Sequence, residues 1–356
     1  MNDPPRVSIA ELAGGATGGA AGATWLDDAG QVRDPLTLVD LNPGAAPPEV
    51  ARAAERARGW GRLLVGLTSQ APPETLRPLL TALDLTLVPG SAGPVTRECV
   101  AVGDPEAEAA ALAAVTAGVP QAALVLGQVL RATEGRPVPA ALDVESFAYS
   151  ALLGGTEFRR WLGERGERPP PPLAAEPVLA RREGTVLRVT LNRPERRNAY
   201  GRQLRDGLAD ALRVALLDPD VERVVLDGAG PGFCSGGDLA EFGTAPDLAT
   251  AHFVRTQGGA GLLMHRLRGR IEVRVHGACV GAGVELPAFA GSVAAAAGAT
   301  FTLPEVAMGL IPGAGGTVSI PRRIGRWRTL YLALTGRPLG VATALAWGLV
   351  DDRGPS

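Results

Sequence analysis

The 356-residue sequence contains no lysine, so all 35 of its Lys+Arg cations are arginine. Any anionic group on a ligand must therefore be held by guanidinium or backbone N–H groups. With the surplus of Ala, Gly and Pro, this absence reads as a GC-rich coding bias. Net charge is also small, at −2. That removes the global electrostatic case for nucleic acid or an anionic membrane surface. No apolar run reaches the roughly 20 residues of a membrane span. The opening MNDPPRVSIAELAGG lacks a basic stretch leading into an apolar one and does not read as a signal peptide. Cysteine is scarce. Cys99, Cys234 and Cys279 are odd in number and far apart, which suits a reducing compartment, expected to be the cytoplasm, and gives no metal-ligand spacing. His252, His265 and His276 do not cluster either.

What is present supports a substantial core. Hydrophobic residues make up 46% of the chain, and the length suits one large or two ordinary domains. The clearest break is Glu167-Arg-Pro-Pro-Pro-Pro172, running on to about Pro177. Four consecutive prolines favour an extended linker. After it, Thr185–Leu191 alternates as a strand, 201–216 has apolar residues at helical spacing, Val221–Asp227 is a strand, 249–267 reads as helix and Ile271–His276 as strand. Strand and helix alternate, so this half is α/β. Before the break, 36–90 reads as a shortened β-α-β-α-β unit. Residues 104–165 read as helical, with Asp104 as an N-cap and Pro105 in the first turn. Residues 10–24 are Ala/Gly-rich and expected to be mobile. The expected divisions are a low-complexity N-terminus (1–35), a degenerate partial α/β module (36–95), a helical segment (96–168), a Pro-rich linker (169–184) and a core (185–356).

Within that core, Gly277-Ala-Cys-Val-Gly-Ala-Gly-Val-Glu285 is followed twenty residues on by Pro304-Glu305 and then by Gly309-Leu-Ile-Pro-Gly-Ala-Gly-Gly-Thr317. A glutamate in isolation is most simply a surface residue. These two sit in an apolar neighbourhood beside glycines that let backbone approach a ligand and leave N–H groups free. Gly281-Ala-Gly283 is expected to open a helix whose N–H groups face that ligand. Cys234 and Cys279 flank these motifs, but no histidine is placed to activate them, so they read as small buried thiols. Glu272 and Arg274 share a strand face, as an ion pair at a subunit contact or as solvent-facing charges.

With Phe233-Cys-Ser-Gly-Gly-Asp238 upstream, the order and spacing of these motifs resemble the enoyl-CoA hydratase/isomerase (crotonase) superfamily. The resemblance implies an α/β fold, a crotonase-like spiral of ββα turns. It implies an oxyanion hole made by the backbone N–H groups of Gly237 and Ala282, with Glu285 and Glu305 as the acid/base pair. Gly313 would add a backbone contact to a water held between them. Asn192-Arg-Pro-x-x-x-Asn-Ala199 resembles the family's coenzyme A-binding loop, with Arg196 and Arg197 as phosphate contacts and Ala199 beside them; without the other motifs a polar surface turn is an equal reading.

The implied activity is an enoyl-CoA hydratase or the reverse dehydratase, acting on a coenzyme A thioester with no cofactor or metal. The alternatives are an isomerase, decarboxylase or C–C hydrolase at the same site, or a non-catalytic acyl-CoA-binding or scaffolding subunit. A homo-oligomer, trimer or hexamer, is expected, with a hetero-oligomer as the alternative. The resemblance runs on through Trp347-Gly-Leu-Val-Asp351. The helices that normally follow in the family resemble residues 104–168 instead, so an associated helical segment is expected N-terminal to the core.

Overall fold

The computed structural model describes residues 4–15, 25–93 and 95–354. The chain divides into two compact units, residues 1–128 with 325–335, and residues 129–324 with 336–356.

The first unit is a five-stranded parallel sheet, β1 (Arg6–Ser8), β2 (Leu36–Asp40), β3 (Leu63–Leu67), β4 (Leu85–Pro89) and β5 (Cys99–Val102), in sequence order. Strands β2 to β4 are near-continuous runs of Leu, Val and Thr buried on both faces, as a parallel sheet requires. Helices Pro47–Arg58 and Arg77–Ala82 form the crossovers between them. The module is wider than the 36–95 expected, since β1 and β5 flank it.

Helix Ile9–Gly14 also corrects the expectation of mobility over 10–24. Ser8 and Glu11 form a reciprocal capping box, and Ile9 and Leu12 are buried. The remainder of that stretch, 16–24, lies outside the described residues. Asp104 caps helix Pro105–Gly118 by accepting from the N–H groups of Glu106 and Ala107.

The second unit holds β6 (Val178–Glu183), β7 (Val186–Leu191), β8 (Arg223–Gly228), β9 (Ile271–Val275), β10 (Ala278–Val280), β11 (Ser292–Ala295), β12 (Thr300–Thr302), β13 (Leu339–Gly340) and β14 (Asp352–Arg353). They form a six-stranded sheet ordered β14-β11-β9-β8-β7-β6 and a three-stranded sheet ordered β10-β12-β13. From β9 to β12 the chain visits the two sheets alternately, which makes the spiral. The extended proline stretch ends at about Pro177, as expected, but the 169–184 allotted to the linker also takes in a strand. Val178–Glu183 pairs antiparallel with β7 as an edge strand. Its charged run, Ala180-Arg-Arg-Glu183, faces solvent, as an edge tolerates. Glu272 on β9 pairs with Arg274 at 2.7 Å and also with Arg223 on β8, so the charges on that strand are satisfied within the chain.

Helices Val138–Leu153 and Thr156–Arg165, which precede the proline stretch, belong to this unit. Helix Val138–Leu153 packs along helix Leu248–Gly258. The proline stretch is tied down as well. The carbonyl of Pro172 accepts from Arg193 Nη2 at 3.0 Å and from Gln203 Nε2 at 3.1 Å.

Candidate active site

Two parallel strands set the geometry. Strands β10 and β12 pair with Val280 opposite Thr302, and Gly281 N–H donates to Thr302 O at 2.9 Å. Glu285 lies five residues beyond Val280, and Glu305 three beyond Thr302. Both therefore leave the same end of the strand pair. Gly281 makes the turn with φ +49°, and a Cβ there would overlap Glu305 Oε1.

A second pairing builds the wall opposite. Cys234 bridges Cys279, and Val280 N–H donates to Cys234 O at 2.9 Å. Gly283 lies so close to Cys234 O that a Cβ would overlap it. Segments 234–237 and 279–283 thus run side by side. Among the described residues, neither Gly237 N–H nor Ala282 N–H has a hydrogen-bond partner. Helix Ala282–Glu285 is a single turn, shorter than the sequence suggests. The unpaired N–H of Ala282, rather than a long helix dipole, is what it offers.

Glu285, Glu305 and Glu145 are all nearly fully buried, at 2%, 7% and 2% exposure. Glu285 Oε2 accepts from Ala314 N–H at 2.7 Å and Gly316 N–H at 2.9 Å. Glu145 accepts from Gly315 N–H at 2.8 Å, Thr317 N–H at 2.9 Å and Thr317 Oγ1 at 2.7 Å. Four successive N–H groups, 314 to 317, are thus taken alternately by two glutamates. Glu305 Oε2 is buried with no partner among the described residues.

Desolvation raises the proton affinity of all three. It pushes Glu305 up to about 8, with the charge of Glu145 adding to it. Glu145 rises to about 7, burial outweighing its hydrogen bonds to Thr317 and Gly315. Glu285 rises well above the usual carboxylate range through burial and the nearby charges of Glu305 and Glu145. Such a cluster shares protons rather than titrating residue by residue. The thiols are inert by comparison: all three cysteines are buried and unpaired, and burial pushes Cys234 up to about 12.

The three glutamates line one cavity of about 780 Å³ within the second unit. Gly237, Ala282, Glu285, Glu305 and Gly313, all expected from sequence, are on its wall. Gly313 has a further reason to be glycine, since the Tyr149 ring packs where a Cβ would be. Arg196, Arg197 and Ala199 are not on that wall. Arg196 forms a two-pronged ion pair with buried Asp238, at 2.7–3.1 Å. Arg197 is exposed at the left-handed position that ends the turn Pro194–Arg196. Ala199 N–H closes the same turn onto Arg196 O.

Sequence reasoning missed Glu145, Tyr149, Arg202 and Arg255, all of which line the cavity. Glu145 had a signal available, a carboxylate between Val144 and Ser146 in a helix whose one other charged side chain is Asp143.

The sequence profile of the enoyl-CoA hydratase/isomerase family matches residues 181–356. A 1,2-epoxyphenylacetyl-CoA isomerase from Escherichia coli K12 is 36% identical over 178 residues, covering 49% of this chain and 68% of its own. A mevalonyl-coenzyme A hydratase from Beauveria bassiana is 34% identical, covering 51% and 68%. The solved structure of a carnitinyl-CoA dehydratase from Mycobacterium avium is 39% identical over 51% of this chain and 70% of its own, with a TM-score of 0.46. Each of these covers about half of this chain. The two relatives from Escherichia coli and Beauveria bassiana, 36% and 34% identical and each covered to 68% of its length, show with the profile match that the chain belongs to the enoyl-CoA hydratase/isomerase family.

Proposed function

We propose that the protein adds water across the α,β double bond of an enoyl-CoA thioester, or removes it in the reverse direction. The observation that carries this reading is the pair of buried, proton-sharing glutamates beside two unpaired backbone N–H groups.

In the hydration direction, the thioester oxygen sits between Gly237 N–H and Ala282 N–H. These donors act where negative charge develops as the enolate forms, which lowers the barrier rather than merely binding the ground state. Glu285 is anchored through Oε2, which leaves Oε1 for a water. With the shared proton on Glu305, the repelling charge is gone and Glu285 is the ionised partner, and it takes one proton as the water oxygen bonds to the β-carbon. The electron pair of the double bond moves onto the thioester oxygen. Glu305, protonated near neutrality by burial, delivers its proton to the α-carbon as the enolate collapses. Water loses one proton to Glu285, and the product gains one from Glu305. This chemistry draws on no metal and no separate cofactor.

The coenzyme A phosphates need cationic or backbone partners. Arg202 at the cavity wall is exposed and its guanidinium is unpaired among the described residues, so it fits that role better than Arg196. Assembly as a homo-oligomer belongs to the same reading. The exposed rings of Phe147 and Phe253, gathered around His252, support an apolar contact there.

The test is to incubate the purified protein with crotonyl-CoA and longer enoyl-CoAs and follow the conjugated thioester absorbance. Loss of absorbance with formation of the 3-hydroxyacyl ester supports hydration. A shifted double bond with no water added would make the protein an isomerase instead.

A further inference from the structure

Arg255 is a half-buried guanidinium on the cavity wall, on helix Leu248–Gly258. It stands over the ring of Tyr149 at 4.6 Å, and that ring packs against Gly313. Gly313 adjoins Ala314, whose N–H holds Glu285. The cation therefore lies about one ring beyond Gly313 and the loop that holds Glu285, on the wall of the same cavity.

Its position is fixed by neutral groups alone. Nε donates to Ser146 Oγ at 3.1 Å, while Nη2 donates to Ser146 O at 3.1 Å and to Ser150 Oγ. His252 Nδ1 holds Ser146 Oγ from the other side at 3.0 Å. Among the described residues no carboxylate lies within ion-pairing distance of Arg255, and its Nη1 has no partner. Glu145 influences it only from further off, with its oxygens committed to Gly315 and Thr317. The Tyr149 hydroxyl also has no hydrogen bond among the described residues.

Cations withdrawn from water are normally paired, because an isolated one is expensive to bury. Here serines and an aromatic face orient the guanidinium with one nitrogen left over. That is the arrangement suited to receiving a carboxylate from a ligand. We propose that Arg255 anchors the far end of the acyl group, and that the substrate acyl chain carries a terminal carboxylate there. This deepens the acyl-CoA reading of the cavity and rests on it.

Binding of saturated acyl-CoAs to the full-length protein, measured by calorimetry, tests the idea without requiring turnover. Glutaryl-CoA and valeryl-CoA have the same number of acyl carbons and differ in the terminal carboxylate. Glutaryl-CoA is expected to bind about tenfold more tightly or better, and Arg255→Gln to abolish that preference while Arg255→Lys keeps part of it. Circular dichroism checks that the variants are folded, and the wild-type comparison decides the matter even if they are not. Equal affinities, or tighter binding of valeryl-CoA, would overturn the role of Arg255 and leave the acyl-CoA reading standing. If neither ester bound, the acyl-CoA reading itself would fall and this inference with it.

Discussion

At Glu305 two effects act in the same direction. Burial penalises its charge, and the nearby negative charge of Glu145 repels it further. Its folded value near 8 stands above the 4.5 of an unperturbed carboxylate. The native state therefore holds a proton that the unfolded chain has released across that window. Stability from this site is complete below about pH 4.5 and is lost as pH rises toward about 8. Calorimetric unfolding between pH 5 and 8 is expected to show a falling midpoint, and Glu305→Gln is expected to flatten that fall. An unchanged slope in the variant would mean that Glu305 ionises normally.

The two site glutamates are also expected to act on rate more than on binding. Glu285→Gln and Glu305→Gln should each lower kcat by orders of magnitude while the affinity for a CoA ester changes only a few fold. Near wild-type turnover in both would end the hydratase mechanism. Gly281→Ala should be nearly as damaging, because the residue combines a positive φ with no room for a Cβ beside Glu305. Its activity should fall with little change in CoA-ester affinity; full activity in a folded variant would show that the carboxylate does not depend on that turn.

Between elements, the four N–H groups from Ala314 to Thr317 tie helix Val138–Leu153 to the single turn that carries Glu285. Glu145 fixes the loop from one side and Glu285 from the other, so Glu145 is a positioning residue for the reaction. Its charge also raises the proton affinity of both site glutamates. Glu145→Gln is accordingly expected to lower kcat and to move the alkaline limb of the pH–rate profile toward lower pH. A lower rate with an unmoved profile would reduce Glu145 to a structural prop.

This is also where the sequence was least legible. Glu285, Glu305 and Gly237 lie in motifs whose glycines and spacing carry the chemistry locally. Glu145 and Arg255 lie on helices outside those motifs, and their role arises from partners 105 to 172 residues away. The strand β6 escaped for a related reason. An edge strand needs no buried alternation, and its Arg-Arg-Glu run resembles a loop. The buried strands β2, β3, β4 and β7, by contrast, announced themselves through their apolar runs and alternation.

For the whole molecule, the decisive question is whether the region matched by the family profile can stand without what precedes it. A fragment of residues 176–356 would lose helices Val138–Leu153 and Thr156–Arg165 from its own unit. Removing Glu145 strips partners from the buried Gly315 N–H, Thr317 N–H and Thr317 Oγ1. Each buried polar group left unpaired costs about 1–3 kcal/mol, against a total stability of about 5–15 kcal/mol for a domain. Loss of Phe158, buried beside Gly309, adds a cavity next to the Glu305 turn. The 325–335 segment would suffer separately, since it belongs to the first unit, where Trp327 Nε1 donates to Leu83 O at 3.0 Å. The fragment is therefore expected to be insoluble or inactive, and residues 1–170 supplied as a second chain are expected to restore part of the activity. Size-exclusion chromatography and the enoyl-CoA assay read both outcomes. A soluble 176–356 fragment as active as the whole chain would show that the preceding helices are an accessory to a self-sufficient core, and that Glu145 shapes no step of its chemistry.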